Sequence, residues 1–255
     1  MLKSVGIKRW NYGMKGRDYM IGGIAVLVGA GATVWAMASA SPAIGITDRA
    51  AIETIVREYI LSHPEILPEA MRNLENREVS KAVSQNRSAL ETPFAGAWEG
   101  AADGDVTLVE FFDYNCSYCR SSVPTVARLL AEDKKLKIVY RELPILGEAS
   151  EAAARHSLAV AQQGNYATFH RLLFGAGRTS PAVIDEALSK AGSDKARVKA
   201  ALASPAIEAE IAQNLSLQRN LNLNGTPSWV VGNRVFAGAV GYDELKKAIT
   251  EARTK

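Results

Sequence analysis

Apolar and polar positions divide the chain into segments of different character. Residues 20–40, MIGGIAVLVGAGATVWAMASA, carry no charged side chain. As a helix, these 21 residues would reach about 31 Å, enough to cross a bilayer. After the N-cap candidate Asp48, Ile52, Ile55, Val56, Tyr59 and Ile60 recur at the spacing of one helix face. SHPEILPEAM interrupts that helix, because Pro64 and Pro68 each favour a new first turn over a continued one. A second helix is predicted from about Pro68 to Leu90. It is mostly polar, with Met71, Leu74, Ala82, Val83 and Leu90 as a thin apolar seam, so it buries little on its own. Two readings stay open for it: an exposed arm, or one strand of a weak coiled coil between subunits.

Near Thr92-Pro93 the chain turns to FAGAWEGAADGD, rich in Gly and Ala, which reads as the entry to a second domain. DVTLVEFF and LKIVYRELPI follow, two β-branched and aromatic runs suited to buried strands. Between them, Val123, Val126, Leu129 and Leu130 give CSYCRSSVPTVARLLAEDKK helical spacing, so the unit is strand, helix, strand. Helical patterning fills about residues 148–220. Ser180-Pro181 and Ser204-Pro205 are predicted helix starts, and Gly192 a stop. TPSWVV and VFAG are predicted strands joined at GNR, and YDELKKAITEA is a final amphipathic helix. The fold class is α/β.

Composition is that of an ordinary globular chain, with 47% hydrophobic and 22% charged residues. The net charge of +3 changes meaning once located. Residues 1–38 hold five of the 30 Lys and Arg but one of the 27 acids, so the remainder carries 25 basic and 26 acidic groups. No basic patch is left to support a nucleic-acid partner. A basic leader before the apolar run is the pattern of an export signal, either cleaved at Ala36-Met37-Ala38 or Ala38-Ser39-Ala40 or retained as an anchor. Residues 1–41 are thus a signal peptide or signal anchor, 42–91 a helical arm and 92–255 the second domain. Everything after the signal is expected outside a membrane, most simply in a periplasm, where thiols meet an oxidising environment.

The whole thiol inventory of 255 residues is Cys116 and Cys119, in FFDYNCSYCR. The first strand hands over to the helix at this point. The junction places Cys116 at a helix N-terminus, where free N–H groups and the helix dipole favour a thiolate. Cys119 follows one turn on, within reach of a disulfide held by Cys116, which suits disulfide exchange. Other uses of the pair stay open. Zinc wants four ligands, and His63, His156 and His170 are far off in sequence. Two thiolates could hold Cu(I), and a purely structural disulfide would close only a short loop. Glu110 lies on the alternate face of TLVEFF with Leu108 and Phe112. If both faces of that strand are covered, its carboxyl is buried, its pKa is raised, and it could relay the proton of Cys119. An edge-strand Glu reaching solvent is the other reading. Tyr118, Trp229 and Tyr242 are candidates for an apolar substrate surface, though aromatic residues at such positions are more often simply packed.

VEFFDYNCSYCR, YRELPILG, the helical block and GTPSWVVGNRVFAGAVG together resemble the DsbA-like branch of the thioredoxin superfamily, over about residues 104–252. The resemblance implies a thioredoxin fold with a helical insertion at about 148–220 and a redox-active disulfide, Cys116–Cys119, in place of a cofactor or metal. It also implies a cis Thr226–Pro227 bond facing the cysteines, with Pro227 as a brace on the substrate side, Tyr118 and Thr226 touching substrate, and an acid at Glu110. Ser117-Tyr118 between the cysteines departs from the Pro-His of the best known oxidase. Thr226 before the proline is as in several reductases and isomerases. IVREYILSHPEILPEAM resembles the N-terminal extension of the copper-sensitivity-suppressor (ScsC) and Com1-like branch, which implies a homo-oligomer, with a trimer expected. The expected function is a periplasmic thiol–disulfide oxidoreductase that forms or shuffles disulfides in unfolded or misfolded exported proteins and is recycled by a redox partner. A non-enzymatic copper carrier is the alternative.

Overall fold

The computed structural model describes residues 49–254; the expected signal peptide or anchor and the N-cap candidate Asp48 lie outside them. Helix α1, Arg49–Ser62, belongs to a unit of its own that ends at Pro64. None of its side chains is buried, and Ile52, Ile55, Val56 and Tyr59 are all exposed. Among the described residues no helix is long and apolar enough to cross a membrane.

The body of the protein begins at Glu65. Its elements are α2 (Ile66–Glu91), β1 (Trp98–Gly100), β2 (Val106–Phe112), α3 (Ser117–Glu132), β3 (Leu136–Glu142), α4 (Glu148–Ala161), α5 (Tyr166–Ala176), α6 (Pro181–Lys190), α7 (Lys195–Leu202), α8 (Pro205–Asn220), β4 (Ser228–Val231), β5 (Arg234–Ala237) and α9 (Tyr242–Arg253). Helix α2 starts two residues before Pro68, which sits in the first turn, where the missing N–H costs no helical bond. The predicted Ser caps form: Ser180 Oγ accepts the Val183 N–H and Ser204 Oγ the Ala206 N–H. Gly192, at φ 68°, follows the end of α6 as expected.

The five strands run in the order β1-β3-β2-β4-β5. β2 and β3 are parallel, joined through α3, and the other pairs are antiparallel. Sequence patterning misses β1, which lies inside the Gly-rich entry segment. Trp98 pairs with Val139, and Gly100, at φ 95°, is pressed so close to the Leu136 carbonyl that a Cβ would sit 2.2 Å from its oxygen. Only glycine meets both demands.

Both faces of the sheet are covered. Leu108, Phe112, Ile138, Tyr140 and Trp229 face the larger core, with α3, the helical insertion and α9. Val109, Phe111, Val139 and Val230 face a smaller core closed by α2 and the end of α8. The thin seam of α2 therefore does more than its composition suggests. Val83 and Leu90 are fully buried against the sheet, so the second half of this helix is part of the main body.

Two arginines fix that helix. The buried Arg141 of β3 donates to the carbonyls of Ala89, Leu90 and Thr92 at the C-terminus of α2, and pairs with the buried Glu210 of α8 at 2.8 Å. Its charge thus meets the negative end of the helix dipole. Arg87 reaches across to the Gly232 carbonyl and Asn233 Oδ1 in the β4–β5 turn. Removing one partner of a buried ion pair leaves the other uncompensated, so Glu210→Ala should lower stability in urea unfolding by about 3 kcal/mol. Lys190→Ala, in the exposed pair with Glu186, should leave the midpoint nearly unchanged. An equal response from both variants would show that Arg141 is not the anchor of α2.

Candidate active site

Strand β2 ends at Phe112, and four residues later Cys116 caps α3. Its backbone is extended, at φ −77° and ψ 117°, and its Sγ accepts the Cys119 N–H at 3.3 Å, as a Ser or Asp cap would. The Cys116 thiol also donates to the Thr226 carbonyl at 3.2 Å. The Thr226–Pro227 bond is cis, and Pro227 leads directly into β4. The structure thus brings Cys116, Cys119, Thr226 and Pro227 together, as the sequence predicts.

The two thiols differ in surroundings. Cys116 keeps 7% of its surface and Cys119 none. Burial pushes the Cys119 thiol far above the usual thiol range, with Cys116 and Glu110 adding to the effect. Glu110, 3% exposed on a central strand, is likewise held well above the usual carboxylate range, first by burial and then by its proximity to Cys116. The edge-strand reading of Glu110 does not hold, because β2 lies between β3 and β4 and both its faces are covered.

Two of the three aromatic candidates take the packed reading and not the substrate-surface one. Trp229 is fully buried, with its indole N–H donated to the Gly238 carbonyl, because it points inward from β4. Tyr242 lies under the Arg128 guanidinium at 3.7 Å and bonds Glu132, at the far end of α3 from the cysteines. Tyr118 alone is presented to solvent beside the thiols, 66% exposed.

The residues just before Cys116 hold the site in place, and sequence reasoning passed over them. Asp113 is buried and accepts the N–H groups of Asn115, Ile145 and Leu146, while its carbonyl accepts the Cys116 N–H. The exposed apolar pair Ile145 and Leu146 is thereby set next to the cysteine loop. Asn115 bonds Ser150 and Thr179, and the Tyr114 hydroxyl meets Ser157 and His170. Arg120, one turn into α3, donates to the carbonyls of Phe174 and Gly177. These contacts strap the helical insertion to the cysteine loop. The available signal was DYN, three hydrogen-bonding side chains running straight into the first cysteine.

His170 is enclosed among Phe112, Tyr114, Tyr140, Tyr166 and Phe174, and burial lowers its pKa to about 3. It is a neutral core histidine. Among the described residues no group of three or more His, Cys, Asp and Glu is placed to hold a metal ion.

Comparison with known proteins agrees with this geometry. Residues 107–250 match the family described as DSBA-like thioredoxin domain, and residues 48–79 the copper resistance protein ScsC N-terminal domain. A thioredoxin-like oxidoreductase from Silicibacter pomeroyi is 41% identical, with TM-score 0.64, over 67% of this chain and 99% of that one. The catalytic domain of Proteus mirabilis ScsC is 27% identical, with TM-score 0.63, over 69% and 99%. Disulfide bond formation protein D of Bacillus subtilis is 24% identical over 69% of this chain and 84% of its own. Two Salinispora Na(+)/H(+) antiporters are 28% identical over 156 residues, and the chain spans about a quarter of their length (24%). With more than half of its residues inside the first of these matches, the chain belongs to the DsbA-like thioredoxin domain family.

Proposed function

We propose that this protein is a thiol–disulfide oxidoreductase that forms or shuffles disulfides in exported proteins through Cys116 and Cys119. The observation that carries the reading is the inequality of the two thiols. Cys116 caps a helix at the edge of the core, and Cys119 is sealed behind it with a buried carboxyl near by. In the oxidising direction, a client thiolate attacks the Cys116 sulfur. The Cys116–Cys119 bond breaks, its electron pair goes to Cys119, and Glu110 supplies the proton. A second client thiolate then attacks the mixed disulfide, closing the client bond and leaving both cysteines reduced for a redox partner to reoxidise. In the shuffling direction, the Cys116 thiolate attacks a wrong client disulfide. Cys119 resolves the adduct if it persists, giving its proton to Glu110.

Tyr118, Ile145 and Leu146 offer an exposed apolar rim beside Cys116, suited to unfolded chain segments. The Thr226 carbonyl, already a partner of the Cys116 thiol, is placed to meet a client backbone N–H. The basic leader and apolar run of residues 1–40 support export to a periplasm, by cleavage or by anchoring. Burial of Cys119 weighs against the copper-carrier alternative, since both sulfurs must be thiolates to bind Cu(I).

If these roles hold, Cys119→Ser should accumulate mixed disulfides with reduced or scrambled clients on nonreducing gels, and Cys116→Ser almost none. Equal trapping by the two variants would sink the assignment.

The arm is proposed to hold several copies together. Ile55, Val56 and Tyr59 of α1 are at least half exposed, as are Leu67, Met71 and Leu74 in the first half of α2. These apolar side chains gain by meeting their own copies. An assembly would raise the effective concentration of Cys116 around one misfolded client, which favours shuffling over single-encounter oxidation. Light scattering should find the exported protein oligomeric, and Ile55→Glu with Tyr59→Glu monomeric. The monomer should retain thiol exchange and lose most refolding of scrambled substrate. A monomeric unsubstituted protein would leave a simple oxidase.

A further inference from the structure

Asp113 is 1% exposed, and its partners are main-chain groups on both sides of the site. Its carboxylate Oδ1 accepts the Asn115 N–H at 2.8 Å, and Oδ2 accepts those of Ile145 and Leu146, both at 3.0 Å. Three N–H donors around one buried carboxylate offset the cost of taking its charge out of water. The main chain of the same residue serves the cysteines. Its carbonyl accepts the Cys116 N–H at 3.1 Å, and burial pushes the Cys119 thiol up while the Asp113 N–H works against that push. The loop that the carboxylate holds is fixed at both ends without it. Leu143, fully buried, donates its N–H to the Phe112 carbonyl, and the Gly147 carbonyl accepts the N–H groups of Ser150 and Glu151 in the first turn of α4. Between these ends Ile145 and Leu146 are exposed, although both are apolar. Two successive N–H groups bound to one anionic oxygen set the backbone there, and with it the direction of both side chains.

We propose that Asp113 is a positioning residue for clients: its carboxylate sets Ile145 and Leu146 in register with Cys116, and so gives the site a preference for client cysteines flanked by apolar residues. The proposal rests on the reading of Tyr118, Ile145 and Leu146 as the client rim. Asp113 is a single hydrogen bond from Cys116 through its main chain and a single hydrogen bond from the rim through its side chain. The rim therefore cannot drift from the sulfur without leaving a buried charge short of a donor. A client segment that covers Ile145 and Leu146 gains from the apolar area removed from water, and it meets a loop already ordered. Because the contacts to the cysteines are main-chain ones, a side-chain substitution at Asp113 separates client binding from thiol chemistry.

The test is single-turnover oxidation of two dithiol peptides by the oxidised full exported chain, in which two peptide thiols become one disulfide and the protein disulfide becomes two thiols. The cysteines are flanked by Leu and Phe in one peptide and by Ser and Gly in the other. Asp113→Ser is too short to reach the loop and can still accept the Asn115 N–H in a turn of the same kind. It should raise the half-saturating concentration of the apolar peptide on the order of ten-fold, with a much smaller effect on the limiting rate and on the Ser-Gly peptide. Ile145→Ser with Leu146→Ser should do the same. Adding Asp113→Ser to that pair should change nothing further, as expected of groups that act as a unit. Amide hydrogen exchange on the unsubstituted protein should find the Ile145 and Leu146 N–H groups protected although their side chains are exposed, a readout that needs no variant. Additive losses in the triple variant, a fall in limiting rate shared by both peptides, or unprotected N–H groups would each overturn the role of Asp113 and leave the rim standing. An Ile145→Ser, Leu146→Ser variant that keeps the selectivity between the peptides would overturn the rim itself, and the proposal with it.

Discussion

Strand β2 is enclosed on every side, and most features of the site follow from that. Its backbone is paired on one edge with β3 and on the other with β4, and its faces are closed by two separate cores. Any polar side chain on it is therefore cut off from bulk water, and Glu110 is such a group. A carboxyl in that position is costly to ionise. The same enclosure fixes where the strand ends, and so where Cys116 meets the first turn of α3.

The outer and the sealed members of the cysteine pair are products of one junction. Cys116 takes the capping position, with its sulfur bound by the Cys119 N–H and facing the Thr226 carbonyl. Cys119 lies one turn inside, in the core shared with Phe112 and Trp229. The helical insertion is fastened to this junction through Asp113, Tyr114, Asn115 and Arg120. The apolar rim at Ile145 and Leu146 lies just ahead of it.

Much of this was legible in the sequence because it is local. The Ser-Pro helix starts, the Gly192 stop and the strand-helix-strand unit depend on neighbours within a few residues, and they appear where expected. What was missed depends on distant partners. β1 is three residues long and exists only because β3 offers an edge to Trp98 and Gly100. The seam of α2 looked too thin to bury much, yet Val83 and Leu90 meet the sheet face of Val109, Phe111 and Val139. Trp229 and Tyr242 were candidates for the surface because aromatic residues near a site carry no mark of their direction. Packing alone decides it. Asp113 was silent because an acid in a loop is usually solvated, and its three N–H partners lie up to 33 residues away.

Glu110 is a sealed carboxyl, and in the proposed cycle it changes protonation with the state of the cysteines. The most direct test is difference infrared spectroscopy of the reduced protein against Glu110→Gln, titrated from pH 4 to 9. A protonated carboxyl band belonging to Glu110 should persist well above the ordinary glutamate midpoint of about 4.3, and should shift when Cys116 and Cys119 are oxidised. A band that disappears near that ordinary midpoint in both redox states would contradict the account.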